Sequence, residues 1–404
     1  MSADLARSSA ILADAATTGT YETARTTAVP WYIWAGALAV TSASIGGQWD
    51  VAWHRSIGRD TFWTPAHMAI YACGVIAAIV GLYLVLTATF GKSAYAARLR
   101  EASVNVFGLH APLGVFLAGW GGVAMLTSAP FDNWWHNAYG LDVQIISPPH
   151  TLLILGIRAI DVGMLFLMLA AMNRASDAGD ANFKTLRNLV LYIGGLLLGG
   201  QMFFVMEYTW DVMLHRVIAY ICLAIAVPLV LATISQASRF RWAATTISII
   251  YIASLIAFIL IFPLFPAQPK LGPVYFPVTH LVPPKFPVLL IVPALALDLF
   301  WQRTTTWKPW QIALVSGVIF VAVIFAVEWP FAKFLMSHAS ENRFFGTIYF
   351  DYNSRPEGHD RMRQFFQPDS GLTLWLGLLR ASIYAAISTW IGLIFGRWMR
   401  GVQR

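Results

Sequence analysis

The sequence predicts an all-α protein: a polytopic membrane helix bundle of about ten transmembrane helices with both termini cytoplasmic. Three observations predict it. The first is composition. Of 404 residues, 58% are hydrophobic and 12% charged, and the mean hydropathy is +0.62. A soluble domain carries about a quarter charged residues, so a soluble enzyme is excluded as the main body. Disordered, coiled-coil and collagen-like chains are excluded as well, since each needs a more polar or more repetitive composition. The second observation is ten apolar runs of near-spanning length, and the third is a regular alternation of basic residues in the connections between them.

A span needs about 20 apolar residues. The runs lie near 31–48, 66–90, 104–128, 150–173, 188–209, 216–237, 243–265, 286–302, 309–327 and 372–396. Residues 1–30 are rich in Ala, Thr and Ser. They predict a disordered tail and not a signal peptide, which needs an apolar core. The even-numbered connections and the C-terminal tail hold Lys92, Arg98, Arg100, Arg174, Lys184, Arg187, Arg239, Arg241, Arg303, Lys308, Arg397, Arg400 and Arg404. The odd connections hold only Arg55, Arg59, Arg216, Lys270 and Lys285 in their short parts. Basic residues stay cytoplasmic, so both termini are expected inside and the long polar stretch near 329–371 outside. The organisation expected is a tail (1–30), a site-bearing bundle (31–175), and a further bundle with an external loop region (176–404). The net charge of +7 is scattered between apolar runs and forms no nucleic-acid footprint. Cys73 and Cys222 sit inside apolar runs and make no disulfide framework.

In this topology eight of the nine histidines fall at or near the outer face: His54, His67, His136, His150, His215, His280, His338 and His359. His110 alone is placed inside a span, nearer the cytoplasm, as a buried hydrogen-bonded residue. Three histidines follow an aspartate by four positions: Asp50/His54, Asp132/His136 and Asp211/His215. Random placement gives roughly 0.3 such pairs, so the excess is a pattern. After His54 come Asp60, Pro65 and His67; after His136 come Asp142, Pro149 and His150. Residues 49–90 and 131–173 therefore form an internal repeat. The third copy lacks the later histidine. Val282-Pro283-Pro284-Lys285 is a looser echo of Ser147-Pro148-Pro149-His150, with Lys in place of His.

The spacing has a chemical meaning. Residues four apart share one face of a helix, so Asp50 and His54 can point at one place. Pro65 suits the first turn of a new helix, where its missing N–H is no loss, and His67 lies in that turn. A helix end, a crossing and a helix start can bring all three together. Two imidazoles and a carboxylate form a facial site suited to Cu, Zn or Fe, with positions left open. Asp132, His136 and His150 repeat the construction. Asp211, His215 and Glu207, one turn before Asp211, are weaker candidates. Asp60 and Asp142 are expected as helix caps or partners of a histidine N–H. The Trp residues are expected as interfacial anchors, and His338 and His359 as ordinary loop residues.

The run from Asp50 to His67 resembles the metal-binding stretch of the C subunit of the membrane-bound copper monooxygenases, the particulate methane and ammonia monooxygenases. That pattern is Asp, His four later and His thirteen after that, with Arg-Asp-Thr and Thr-Pro-x-His between; here these are Arg59-Asp60-Thr61 and Thr64-Pro65-Ala66-His67. Asp132, His136 and His150 resemble the family's second cluster, with Asp132 where the family has Asn. The resemblance covers roughly residues 31–175, and residues 176–404 match no part of the family pattern. It implies copper as cofactor, with Asp50, His54 and His67 as catalytic metal ligands. It further implies A-like and B-like partner subunits, a trimer, quinol as the outside reductant, and oxidation of methane, ammonia or a short hydrocarbon. The location implied is a bacterial inner membrane with the metal site toward the periplasm. Two other functions compete: a non-catalytic metal-binding or copper/proton transport protein, and a haem-binding quinol protein, which needs facing histidine pairs.

Overall fold

A computed structural model describes residues 28–139, 147–304 and 306–404. The chain forms twelve α-helices and one two-stranded hairpin among these residues. Eight helices are long and apolar enough to cross a bilayer, and the chain is an integral membrane protein. All but the last three residues of the expected tail fall outside the described residues, as does Asp142.

α1 (Trp31–Ser56) starts behind Pro30. Its 26 residues reach about 39 Å at 1.5 Å per residue, but it is less apolar than the eight helices because its last two turns carry the polar motif. α2 (Pro65–Phe90) opens on Pro65 and runs back antiparallel. α3 (Ala94–Glu101) is short and polar, with the Ser93 hydroxyl accepting from the Ala96 N–H at 3.1 Å. α4 (Leu113–Tyr139) and α5 (Pro148–Asp177) form the second antiparallel pair. α6 (Phe183–Phe204), α7 (Val217–Ser238), α8 (Ala243–Ile261), α9 (Ile291–Trp301), α10 (Pro309–Leu335), α11 (Pro356–Phe365) and α12 (Gly371–Met399) complete the chain. α5 and α6 lie at the centre, and one continuous apolar core links the two halves through Met164, Met168, Leu198, Tyr220 and Ile193.

Two of the ten runs fold differently from the expectation. Residues 104–111 are not the start of a span: they form a hairpin, Val104–Val106 (β1) against Leu109–Ala111 (β2), with Asn105 opposite His110. Phe107 and Gly108 turn the chain at φ 52° and 85°, and the Asn105 side chain accepts from the Gly108 N–H at 2.9 Å. His110 is thus half-buried on a hairpin, not inside a span. The run 286–302 is helical only over Ile291–Trp301. Pro283, Pro284 and Pro287 keep the chain before it extended, because the residue before a proline avoids the helical region.

The helix pairs meet by backbone contact at small residues, the usual device where lipid leaves no hydrophobic drive between helices. A Cβ on Gly121 would lie 2.5 Å from the Gly156 carbonyl, and one on Gly163 2.5 Å from the Gly114 carbonyl. α4 and α5 are therefore locked at two points seven residues apart on each helix. This crossing and that of α1 with α2 set the two ends that carry the polar motifs. Because α2 and α4 run in opposite directions, both motifs lie at the same end of the bundle.

Candidate metal centre

The first motif closes as a cluster. A Cβ on Gly46 would lie 2.7 Å from the Ile70 nitrogen, so α1 and α2 approach closely one turn from Asp50 and one turn from His67. Residues 57–64 reverse the chain. Gly58 takes a left-handed conformation with φ 84°, a form that favours glycine. The Trp53 indole N–H donates to the Arg59 carbonyl at 3.0 Å, and the Thr61 N–H to the Thr64 hydroxyl at 2.9 Å. His67 Nε2 then lies 3.1 Å from Asp50 Oδ1, and His54 Nε2 3.9 Å from the same oxygen. Donor atoms of Asp50, His54 and His67 all lie within 4.8 Å of one another.

Two details show how the cluster could hold a cation. His67 Nδ1 is 2.9 Å from the Thr61 carbonyl. A carbonyl can only accept, so Nδ1 carries a proton, and in the neutral ring Nε2 presents a lone pair to the interior of the cluster. Such an outer hydrogen bond fixes the tautomer of most metal-bound histidines. Opposite that lone pair, Asp50 Oδ1 is buried, and with Nε2 unprotonated it has no hydrogen-bond donor. A lone pair facing an unsatisfied carboxylate oxygen needs a proton or a cation between them.

Asp60, expected as a cap or outer partner, sits closer in. Its Oδ2 lies 3.4 Å from both His54 Nε2 and His67 Nε2, so a second carboxylate faces the same point. Burial works to raise the Asp60 pKa, but its hydrogen bond to His54 and the charges of His54 and His67 outweigh this and hold it below the ordinary carboxylate value. His54 is 43% exposed, so one side of the cluster opens outward.

The second motif repeats the design. Asp132 and His136 lie on the last turns of α4, past Pro130. His150 is in the first turn of α5, where its N–H meets the Ser147 hydroxyl at 3.4 Å. Asp132 Oδ2 is 3.4 Å from His136 Nε2, and Asp132 Oδ1 is 3.4 Å from His150 Nε2. Asp132 Oδ1 is again buried without a hydrogen bond. Among the described residues these are the two groups whose donors could hold a metal ion. Tyr71, one turn after His67 with its ring centroid 6.4 Å from that imidazole, lies within electrostatic reach of Asp50, Asp60 and Asp132. Nothing in the sequence motifs singles it out.

The third motif does not assemble. α6 ends at Phe204, and 3-10 turns replace the helix over Met206–Tyr208 and Met213–His215, so positions four apart no longer share a face. Asp211 pairs with Arg363 of α11 at 3.2 Å. His215 is buried between the Trp329 and Phe366 rings at 4.9 and 5.8 Å. Glu207 joins neither of them in a metal-type group. Lys285, the loose echo, places its ammonium 4.5 Å over the Trp210 ring and precedes extended chain. His280 meets the Tyr349 hydroxyl at 2.8 Å. His338 is 99% exposed beside Glu341. His359 lies on α11, its side chain outside those described.

A prediction separates the third motif from the first two. Asp211→Asn and His215→Phe should leave metal content unchanged by elemental analysis. Burial lowers the His215 pKa below its ordinary 6.5. The stability linked to this group is therefore full above 6.5 and is lost as pH falls through the lower, folded value. His215→Phe should flatten the acid side of a stability–pH curve; an unchanged curve, or lost metal, contradicts this reading.

No protein family, curated protein or solved structure matches the chain.

Proposed function

We propose that the chain is a copper-binding subunit of a membrane monooxygenase, oxidising a small apolar substrate such as methane, ammonia or a short hydrocarbon. The observation that carries this reading is the repeat in three dimensions: two Asp/His/His clusters at one end of a membrane bundle, each with a buried, unpartnered carboxylate oxygen. The donor set of two imidazoles and a carboxylate fits copper, and the first motif's resemblance to the monooxygenase C subunit favours copper over zinc or iron. Bound copper would supply a redox couple for dioxygen chemistry, which zinc lacks. The chain's own residues bind and orient it. Asp50, His54 and His67 hold the ion, Thr61 fixes the His67 tautomer, and Asp60 balances charge from the opposite side. Asp132, His136 and His150 hold a second ion. The outward-facing side at His54 leaves room for a small substrate arriving from the lipid. No flavin or nucleotide motif is present in the sequence, so reductant comes from outside, with quinol the candidate. A-like and B-like subunits and a trimer are the partners the resemblance implies.

The topology we infer is ten crossings with both termini cytoplasmic, in a bacterial inner membrane, the clusters facing the periplasm. α1 is the ninth crossing beside the eight apolar helices, and the non-helical 283–290 segment with α9 is the tenth. Two contacts support the last. The Leu289 N–H donates to Glu328 near the end of α10 at 2.5 Å. At the other end of α9, Asp298 accepts from the N-terminal amides of α8, at 3.3 Å from Ala244 and 2.8 Å from Thr245. The basic connections at the end opposite the clusters support the orientation.

One observation favours a second reading, ion transport. Asp161 is 1% exposed within α5 and pairs with Arg158 at 2.7 Å; charges at membrane depth mark ion or proton paths. Vesicle copper uptake without dioxygen consumption would favour it. The test of the first reading is copper content after copper-replete growth. Wild type should hold copper at both clusters, His54→Ala/His67→Ala should lose the first site's share, and a copper-free wild type would overturn the proposal.

A further inference from the structure

We propose that the C-terminal half sets the copper affinity of the first cluster by clamping the loop that carries it, with Arg55, Asp351 and Tyr352 as positioning residues. This rests on the copper reading above and adds a role for residues with no part in the motif.

The clamp closes on residues 55–58, between His54 and Asp60. Arg55 Nε donates to Asp351 Oδ1 at 2.9 Å, and its Nη1 to the Pro283 carbonyl at 3.0 Å. The Ser56 hydroxyl donates to the Ala52 carbonyl at 2.5 Å and accepts from the Val282 N–H at 2.7 Å. The Lys270 N–H donates to the Ile57 carbonyl at 2.9 Å. The Tyr352 hydroxyl occupies the space a Cβ on Gly58 would need. Tyr352 is itself tied to the proline-rich segment, its carbonyl accepting from the Tyr275 N–H at 2.7 Å and the Phe276 N–H at 3.2 Å. Beneath these contacts Ala52 and Ile57 pack with Phe262, Ala267 and Leu281.

Apart from the Ser56–Ala52 bond, these contacts come from chain more than 200 residues away from the motif, and they fix the backbone where the turn begins. Copper ligation would require Asp50, His54 and His67 to converge across that turn, with Asp60 facing them. Asp60 and His67 follow it; Asp50 and His54 precede it. An unclamped loop would have to lose its freedom on binding the ion, which weakens binding. The Arg55–Asp351 pair is half-exposed at its carboxylate. Such pairs add little to global stability, so its removal is expected to act on the site and not on the fold.

The test uses the full chain in detergent, with Cu(II) titrated against a competing chelator. A His136→Ala/His150→Ala background reads the first cluster alone; a His54→Ala/His67→Ala background reads the second. Asp351→Asn should weaken Cu(II) at the first cluster by up to about 10-fold, the low end of the range for direct partners of metal ligands, since Asp351 acts one contact further out through Arg55. It should alter the first cluster's electron paramagnetic resonance spectrum and leave the second unchanged, while Asp351→Glu restores the affinity. Tyr352→Ala, which frees Gly58, should act in the same direction. Unchanged affinity at the first cluster overturns the clamp and leaves the copper reading intact. Equal losses at both clusters also overturn it, since they report the fold. No Cu(II) binding in either background removes the copper reading itself.

Discussion

Asp50→Asn will abolish copper binding at the first cluster and leave the apo protein as stable as wild type or more so. The substitution keeps the shape of the side chain and removes its charge. In the ion-free protein Asp50 Oδ1 is buried without a hydrogen bond, close to a second carboxylate that faces the same imidazoles. Removing one of two anions sharing a site relieves repulsion, and the asparagine oxygen still accepts from His67 across the 3.1 Å contact when that nitrogen is protonated. On the proposed copper reading the same oxygen would be a ligand, and its loss should cost more than the roughly 10- to 100-fold typical of an outer-shell partner. A bound ligand at 100 times its Kd stabilises a protein by about 2.7 kcal/mol. Thermal melts in detergent should therefore show a copper-dependent rise in wild type, with the first cluster's share of that rise missing in Asp50→Asn. An undiminished rise, or an apo variant that melts well below wild type, would mean that Asp50 is a structural residue.

Gly121→Leu should prevent α4 and α5 from meeting and destroy the second cluster. Even a Cβ there lies 2.5 Å from the Gly156 carbonyl and 2.9 Å from the Ile160 side chain. Backbone cannot retreat as a flexible side chain can, and overpacking typically costs about 1–3 kcal/mol, occasionally more. The crossing also fixes the distance from Asp132 and His136, on α4, to His150, on α5. Copper at the second cluster should fall before the first is affected, and the yield of folded protein should drop. Gly122 provides the control, since a Cβ there meets nothing within 4 Å. Gly122→Ala should be neutral or stabilising by up to about 1 kcal/mol, the difference in helix propensity. Equal tolerance of both substitutions would contradict the close crossing.

Much of the bundle was legible because it depends on bulk patterning. Runs such as 66–90 and 372–396 are too long and too apolar to be anything else. The convergence of Asp50, His54 and His67 was legible for a local reason: i, i+4 spacing on one helix, then Pro65 starting the next. Two features were not legible, and a third was legible only as a choice of two. The hairpin at 104–111 hides in an apolar run because Val, Leu and Ala score alike in strand and span; only Asn105 and Gly108 marked the turn. The third motif has the right spacing, but spacing has meaning only on a continuous helix, and α6 unwinds at Phe204. For Asp60 the sequence offers both a cap and a histidine partner, and the structure shows the partner; choosing between them depends on a turn held by Tyr352, Val282 and Asp351, far away in sequence. Contacts of that range leave no periodic signature.

The measurement that bears most directly on the proposal of copper at the two Asp/His/His clusters is an experimental structure of protein from copper-replete cells, with anomalous diffraction collected across the copper edge. Two peaks are predicted, one bounded by Asp50, His54 and His67 and the other by Asp132, His136 and His150, with none near Glu207, Asp211 and His215. Density that is empty at both clusters, or imidazoles of His54 and His67 turned away from Asp50, would contradict the assignment.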